Sequence, residues 1–119
     1  MNRGEIWWAD LGPYRTQEQT GRRPVIVWQS DTLIRLLQSV LVIPLPTNLD
    51  RARLAGTALI TASEGGLGAD SVALAFQMRA IPRKSLKTLI RALTSEEVAE
   101  LDLATDEALG RVEPATASE

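Results

Sequence analysis

The sequence contains no cysteine and no histidine. The missing cysteine excludes disulfides and thiol nucleophiles, and the missing histidine removes the side chain that most often exchanges protons near neutral pH. Because these two residues are also the preferred ligands of zinc, a zinc site is not expected. Any catalysis must therefore use carboxylate, arginine, lysine, tyrosine or hydroxyl groups, and we expect no cofactor.

Long hydrophobic runs are also absent. No apolar stretch approaches the roughly 20 residues that cross a membrane, and no signal peptide opens the chain, so we expect a cytoplasmic protein. The 119 residues are 45% hydrophobic, which suffices for one domain with a buried core. We assign this single domain to residues 1–112 and expect residues 113–119 to form a disordered tail.

Charge is unevenly distributed along the chain. Although the formal net charge is −2, residues 1–91 contain twelve Lys/Arg and seven Asp/Glu, whereas residues 92–119 contain one Arg and eight Asp/Glu. The larger part of the chain is therefore basic, which permits a face that binds nucleic acid. The acidic C-terminal part is also typical of an ordinary solvated helix.

The hydrophobic pattern indicates short strands followed by one clear helix. Strands are predicted over 5–11, 25–29, 39–45, 57–61 and 72–76, residues 77–81 continue or follow the last of them, and residues 31–37 suit a helical turn. Thr94 and Glu97 carry the signature of a capping box at the start of the final helix. Its predicted apolar stripe consists of Val98, Leu101, Thr105, Ala108, Leu109 and Val112. This order predicts an α+β domain on a strongly curved antiparallel sheet.

A polar loop that leads directly into an apolar strand is the most informative feature. Residues 18–24 read Glu-Gln-Thr-Gly-Arg-Arg-Pro, and the apolar residues 25–28 follow. Two guanidinium groups and one carboxylate thus meet at the start of a strand, where they can bind a phosphate and hold a base beside it. The more ordinary interpretation is that both arginines pair with surface carboxylates.

Three further blocks occur in a family-like order with this loop. Residues 3–11 read Arg-Gly-Glu-Ile-Trp-Trp-Ala-Asp-Leu, residues 70–74 Asp-Ser-Val-Ala-Leu, and residues 77–81 Gln-Met-Arg-Ala-Ile. With these blocks the chain resembles the MazF/PemK family of toxin endoribonucleases, from about residue 3 to about residue 109. The resemblance implies a small SH3-like barrel with peripheral helices, of the CcdB/MazF type. It also implies a homodimer, single-stranded RNA as substrate, and a MazE-like antitoxin with an acidic segment.

The resemblance directs attention to three catalytic candidates. Arg23 lies at the position of the family's catalytic arginine, and its planar fork suits a doubly charged phosphorane. Glu18 is the best candidate general base, because it is the only conventional base in the loop. For the family's catalytic threonine we choose Thr47. An ungapped match places Pro46 there, but a hydroxyl group is chemically useful and a proline ring is not.

Eight polar residues are expected to bind RNA. They lie in the loop, after the second strand, and near the third and fifth strands: Gln17, Gln19, Arg22, Gln29, Ser30, Asp31, Asn48 and Gln77. Amides read base edges well, but such residues are equally typical of turns and helix caps.

Basic and aromatic side chains elsewhere have two interpretations each. The basic ones either steer RNA or solvate the surface: Arg51, Arg53, Arg79, Arg83, Lys84 and Lys87. Trp7, Trp8 and Trp28 fall in predicted strands, which favours core positions over stacking on bases.

These features favour the toxin of a type II toxin–antitoxin system. We expect a metal-independent, sequence-specific endoribonuclease that cleaves single-stranded RNA. Two alternatives stay open at this point. One is a CcdB-like toxin that poisons DNA gyrase without cutting nucleic acid, and the other is a degenerate domain that only binds RNA or an antitoxin.

Overall fold

The computed structural model describes residues 1–12, 21–51, 54–64 and 66–114. Seven strands and two helices lie within these ranges. The strands are β1 (Glu5–Asp10), β2 (Arg22–Val27), β3 (Ser39–Pro44), β4 (Thr57–Ile60), β5 (Ser71–Leu74), β6 (Arg79–Pro82) and β7 (Leu86–Ala92). The helices are α1 (Asp31–Leu36) and α2 (Ser95–Ala108). None of the described helices is both long and apolar enough to cross a membrane.

Five strands form one antiparallel sheet in the order β6-β3-β2-β1-β7, and β4 and β5 form a separate antiparallel pair. Two register irregularities interrupt the β1–β7 ladder, one on either side of the pair of residues Trp7 and Trp8. Bulges of this kind increase strand twist. The predicted α+β fold with a mostly antiparallel sheet and a C-terminal helix is therefore confirmed.

The two faces of the five-stranded sheet bury separate apolar clusters, because side chains alternate along each strand. On one face, three isoleucines are direct cross-strand neighbours on β1, β2 and β3: Ile6, Ile26 and Ile43. They belong to the same buried cluster as Leu101 and Ala104 of α2. The other cluster lies around Ala9, Val25, Val27 and Val42, and it includes Ile34 of α1. The helices thus shield different faces of the sheet.

Trp28 connects the end of β2 to α2. Its indole N–H donates to Thr105 Oγ1 at 2.9 Å, and its side chain is only 5% exposed. The guanidinium carbon of Arg3 lies 3.7 Å from the centre of the Trp28 ring, and Arg3 also pairs with Asp102 of α2 at 2.8 Å. These contacts hold the N-terminal segment against the helix.

Three strand predictions require correction. Strand β2 begins at Arg22 rather than residue 25, because pairing of Arg22 with Asp10 of β1 extends the ladder into the polar segment. Phe76 lies in a 3₁₀ turn (Ala75–Gln77) that separates β5 from β6, and β6 pairs with β3. Strand β7 was not predicted. Buried and exposed side chains do not alternate along β7, because its pairing with β1 contains the two register irregularities. The sequence of β7 therefore lacks the alternation of apolar and polar residues by which a strand is predicted.

The final helix follows the prediction at its start and departs from it at its end. Thr94 Oγ1 accepts from the Glu97 N–H at 3.1 Å, and Glu97 accepts from the Thr94 N–H at 2.9 Å, so the capping box is confirmed. Leu101 is fully buried, whereas Leu109 and Val112 are 62% and 42% exposed. Helix α2 ends at Ala108, so the outer part of the predicted stripe does not reach the core. The predicted tail falls mainly on residues 115–119, outside the described residues.

Glu97 also links the start of α2 to β7. Its two carboxylate oxygens accept from Arg91 Nη1 at 2.9 Å and from Arg91 Nη2 at 3.1 Å, and Arg91 Nη2 also donates to the Thr61 carbonyl at 3.0 Å. Burial alone would raise the pKa of Glu97. The hydrogen bonds from Arg91 and Thr94, with the charge of Arg91, lower that pKa below its ordinary value.

We predict that Glu97→Gln lowers the free energy of unfolding at pH 7 by about 1–2 kcal/mol, because it keeps a cap acceptor but loses the charged pair with Arg91. A lowered carboxyl pKa contributes stability that is present above the ordinary value of 4.5 and is lost as the pH falls through the lowered pKa. Denaturant unfolding at several pH values should therefore show the two proteins converging in acid. The control Glu96→Gln changes an exposed residue of the same helical turn. Equal losses in both variants would contradict the role of the pair.

Candidate active site

A cavity of about 720 Å³ lies where β2 begins and β3 ends. The β2–β3 ladder stops at the pair Val25–Pro44, so Arg22, Arg23 and Pro24 extend beyond the last residue of β3. Neither proline has a backbone N–H with which to continue the ladder. The strands therefore part at this end of the sheet, and the cavity opens between them.

The two arginines of the sequence motif both line this cavity, but from different faces of β2. Arg23 is paired with Ala9, and its side chain lies on the same face of β2 as that of Val25. The side chain of Arg22 lies on the other face, with Pro24. Arg23 is partly buried and Arg22 is exposed. Arg79, at the start of β6, is a third arginine in the cavity wall. From the sequence, Arg79 was expected only to steer RNA or to solvate the surface.

The segment that follows β3 contributes the polar wall. Pro46, Thr47 and Asn48 all line the cavity, and Gln77 faces it from the 3₁₀ turn before β6. The carbonyl of Pro46 accepts from the N–H of Val72 at 2.8 Å, which fixes this segment against β5. Thr47 is exposed and follows that fixed point directly. The structure therefore brings five of the predicted site residues to one cavity, Arg22, Arg23, Thr47, Asn48 and Gln77, and their roles stay predictions.

Three predicted RNA-binding residues lie at the opposite end of β2. Gln29 accepts through Oε1 from the N–H of Leu41 at 3.2 Å, and Ser30 caps α1 by accepting from the N–H of Leu33 at 3.3 Å. Asp31 accepts from the N–H of Arg3 at 2.7 Å. Ser30 is thus a helix cap, Gln29 and Asp31 accept from distant backbone N–H groups, and none of the three lines the described cavity. Their role in RNA binding stays a prediction.

Gln17, Glu18 and Gln19 lie outside the described residues, but both ends of their loop are defined. The N–H of Leu11 donates to the carbonyl of Gly21 at 2.9 Å. Gly21 has φ +104°, and a Cβ built there would lie 2.0 Å from the carbonyl oxygen of Gly12. The loop therefore starts and ends at two backbone segments in close contact, directly before Arg22.

The remaining basic residues are more dispersed. Arg83 donates to the carbonyl of Ile34 and so satisfies the last turn of α1, while Lys84 and Lys87 are exposed. Arg53 and the side chain of Arg51 lie outside what the structure describes. Within the described lining of the cavity, three side chains are cationic and none is acidic. Such a wall attracts an anion with several oxygens, and guanidinium forks suit a phosphate.

Trp8 is another lining residue whose place in the cavity the sequence did not indicate. Its place in a strand favoured a core position, as found for Trp28, yet Trp8 is 36% exposed and lines the cavity. Trp8 lies on the same face of β1 as Ile6 but opposite Pro24, past the residues that α2 buries. Its exposure follows from where the helix packs, which no local pattern encodes.

Comparison with known proteins identifies the family. A model of the PemK-like, MazF-like toxins of type II toxin–antitoxin systems matches residues 2–109. A protein named Endoribonuclease MazF from Staphylococcus epidermidis is 33% identical over 110 residues, which are 92% of this chain and 92% of that protein. The chain therefore belongs to the PemK/MazF-like toxin family, which confirms the resemblance seen in the sequence.

Solved structures agree on the fold. A mycobacterial endoribonuclease in complex with its cognate antitoxin superposes with a TM-score of 0.77 at 18% identity, covering 96% of this chain and 99% of that one. MazF from Deinococcus radiodurans gives a TM-score of 0.70 at 22% identity, covering 92% and 96%. At these identities the likeness concerns the fold, and the barrel-like MazF/CcdB architecture expected from the sequence fits.

We predict that Gly21→Ala destabilises the protein more than Gly12→Ala. Both glycines have positive φ, which costs an alanine about 1 kcal/mol, but a Cβ at Gly12 meets nothing within 4 Å. At Gly21 the backbone must also move away from Gly12, so we expect a total loss of at least about 2 kcal/mol in the free energy of unfolding. Denaturant unfolding of both variants measures the difference. Equal losses would show that the close approach of the loop ends does not constrain the start of β2.

Proposed function

We propose that this protein is the toxin of a type II toxin–antitoxin system and acts as a sequence-specific endoribonuclease on single-stranded RNA, without a metal ion. The observation that carries the proposal is the arginine cavity at the open end of the β2–β3 ladder, in a chain that belongs to the PemK/MazF-like toxins. The relatives named as endoribonucleases support the activity. The gyrase-poisoning alternative is not favoured, because it requires no phosphate site in this cavity.

Arg23 is proposed to stabilise the transition state. Attack of a ribose 2′-oxygen on the adjacent phosphorus gives a phosphorane with two negative charges, and a planar guanidinium donates two hydrogen bonds to such a group. Partial burial in a cavity wall strengthens this interaction relative to one in bulk water. Because donors of this kind bind the charge that develops during reaction, they accelerate the chemical step rather than binding alone.

The proton transfer and a further hydrogen bond to phosphate are assigned to two other residues of the predicted site. Glu18 is proposed as the base that removes the 2′-hydroxyl proton, and Thr47 as a hydroxyl donor to a phosphate oxygen. The new bond joins the 2′-oxygen to phosphorus, the bond from phosphorus to the 5′-oxygen breaks, and that oxygen takes up a proton from solvent water while Glu18 returns its proton to solvent. The products are a 2′,3′-cyclic phosphate and a 5′-hydroxyl end.

Recognition of the RNA is proposed to use the polar wall of the same cavity. Asn48 and Gln77 present amide groups that suit base edges, and Arg22 adds a second guanidinium. Asn48 also accepts from the N–H of Asp50 at 3.0 Å, which orients its amide. Gln17 and Gln19, from the loop that ends at Gly21, are proposed to complete the site.

The partners follow from the same charge pattern. Related proteins have been solved with an antitoxin, among them the MazE–MazF complex of Deinococcus radiodurans. We propose a cognate antitoxin for this chain, with an acidic segment that occupies the cationic cavity in place of RNA. We further propose that the protein is a homodimer that acts in the cytoplasm, where its RNA substrate is found.

We predict that Arg23→Ala lowers the rate of RNA cleavage about 10²- to 10³-fold, because one transition-state donor is lost. Purified protein would be incubated with a long single-stranded RNA in EDTA, and the ends of the fragments mapped. Arg35→Ala is the matched control, since Arg35 is an exposed arginine in the last turn of α1, away from the cavity.

The expected result is a set of discrete cuts by the wild type and by Arg35→Ala, each leaving a cyclic phosphate. Equal cleavage by Arg23→Ala would contradict the assigned role of Arg23. Intact RNA with the wild type, under conditions in which the protein is folded, would contradict the nuclease activity itself.

A further inference from the structure

The three tryptophans, all within the described residues, have different surroundings. Trp28 is buried, with its indole N–H bound to Thr105. Trp7 faces the other side of the sheet, is partly buried, and donates its indole N–H to Glu5 Oε1 at 3.0 Å. Trp8 alone among them lines the cavity, with 36% of its surface exposed. Trp8 is thus a large aromatic ring that is exposed in the wall of a cationic cavity.

The guanidinium of Arg22 lies over the ring of Trp8, but at a greater distance than a stacked contact. The guanidinium carbon of Arg22 lies 5.8 Å from the centre of the Trp8 ring, whereas Arg3 lies at the contact distance of 3.7 Å from Trp28. A flat base held between the two groups needs about 7 Å, which is twice a carbon–carbon contact of roughly 3.5 Å. Because Arg22 is exposed, a shift of about 1 Å by its side chain would provide that space.

Because side chains alternate between the two faces of β2, its two arginines can bind different parts of one nucleotide. Arg23 points to the face that carries Val25, whereas Arg22 points to the face of Pro24, which is opposite Trp8 on β1. A phosphate at Arg23 and an unstacked base at Trp8 would thus lie at the two faces of one strand end, both of which line the same cavity. Single-stranded RNA offers both groups within one nucleotide.

We propose that Trp8 and Arg22 form a stacking subsite for one nucleobase of the RNA, next to the phosphate that Arg23 binds; this rests on the proposed function. Stacking uses the face of the base, so the subsite accepts any base and orders the strand rather than reading its sequence. Trp8 is therefore a substrate-binding residue that positions the scissile phosphate.

The test is a double-mutant cycle between the tryptophan and the base. The probe is a single-stranded RNA that contains the mapped cut site, with a 2′-O-methyl group at the attacking position to prevent cleavage. A series of such RNAs carries one abasic nucleotide at each position in turn. Binding in EDTA is measured by fluorescence anisotropy for the wild type, Trp8→Leu, Trp8→Phe and the control Trp7→Phe.

We expect Trp8→Leu to weaken binding of the intact RNA roughly 5- to 100-fold, as loss of one stacked base does. One abasic position should weaken binding to the wild type, Trp8→Phe and Trp7→Phe, yet have no further effect on Trp8→Leu. Since Trp8 lies outside the buried cluster, Trp8→Leu should stay folded, and Trp8→Phe keeps a flat ring in case it does not.

Two results would overturn the subsite. The first is an abasic penalty that is the same in the wild type and in Trp8→Leu at every position. The second is a Trp8→Leu variant that binds RNA normally but loses affinity for polyglutamate, which would make Trp8 a contact for an acidic peptide. If the wild type neither binds nor cleaves RNA, the proposed function fails and the subsite fails with it.

Discussion

The end of the β2–β3 ladder is the constraint on which the site depends. Because the last pair is Val25–Pro44, three residues of β2 continue without β3 beside them. On the other side, pairing with β1 keeps these residues extended as far as Arg22. One strand end is thus held on one side and open on the other. Side chains that alternate along it reach solvent on both faces while their backbone stays fixed, which is the preorganisation that electrostatic catalysis requires.

Supporting contacts hold this strand end from further away. The backbone contact between Gly12 and Gly21 sets where the strand begins, and the bond from Val72 to the Pro46 carbonyl sets the opposite wall. The clusters on the two faces of the sheet anchor β2 along its remaining length. A rigid scaffold therefore carries a cavity whose described lining is cationic. This arrangement is common, since functional residues often lie at the edge of a rigid folded core.

Hydrophobic periodicity predicted the fold class, and motifs that resemble those of the family predicted the family; five of the residues that the resemblance singled out lie at the cavity. The sequence did not predict β7, whose pattern is disturbed where β1 changes register, or the start of β2, which depends on pairing with a distant strand. The sequence also did not predict that Trp8 and Arg79 line the cavity. Their positions follow from how strands and helices pack, and neither residue has a local sequence signal. The capping box at Thr94, by contrast, is local and was predicted.

The central claim is that RNA places its scissile phosphate at the open end of β2. A crystal structure of the protein with a single-stranded RNA that cannot be cleaved, because its attacking 2′-oxygen is methylated, tests this claim most directly. The account predicts a phosphate oxygen within about 2.7–3.1 Å of the Arg23 guanidinium. RNA bound at the opposite end of β2, near Gln29, with no phosphate in the arginine cavity, would contradict it.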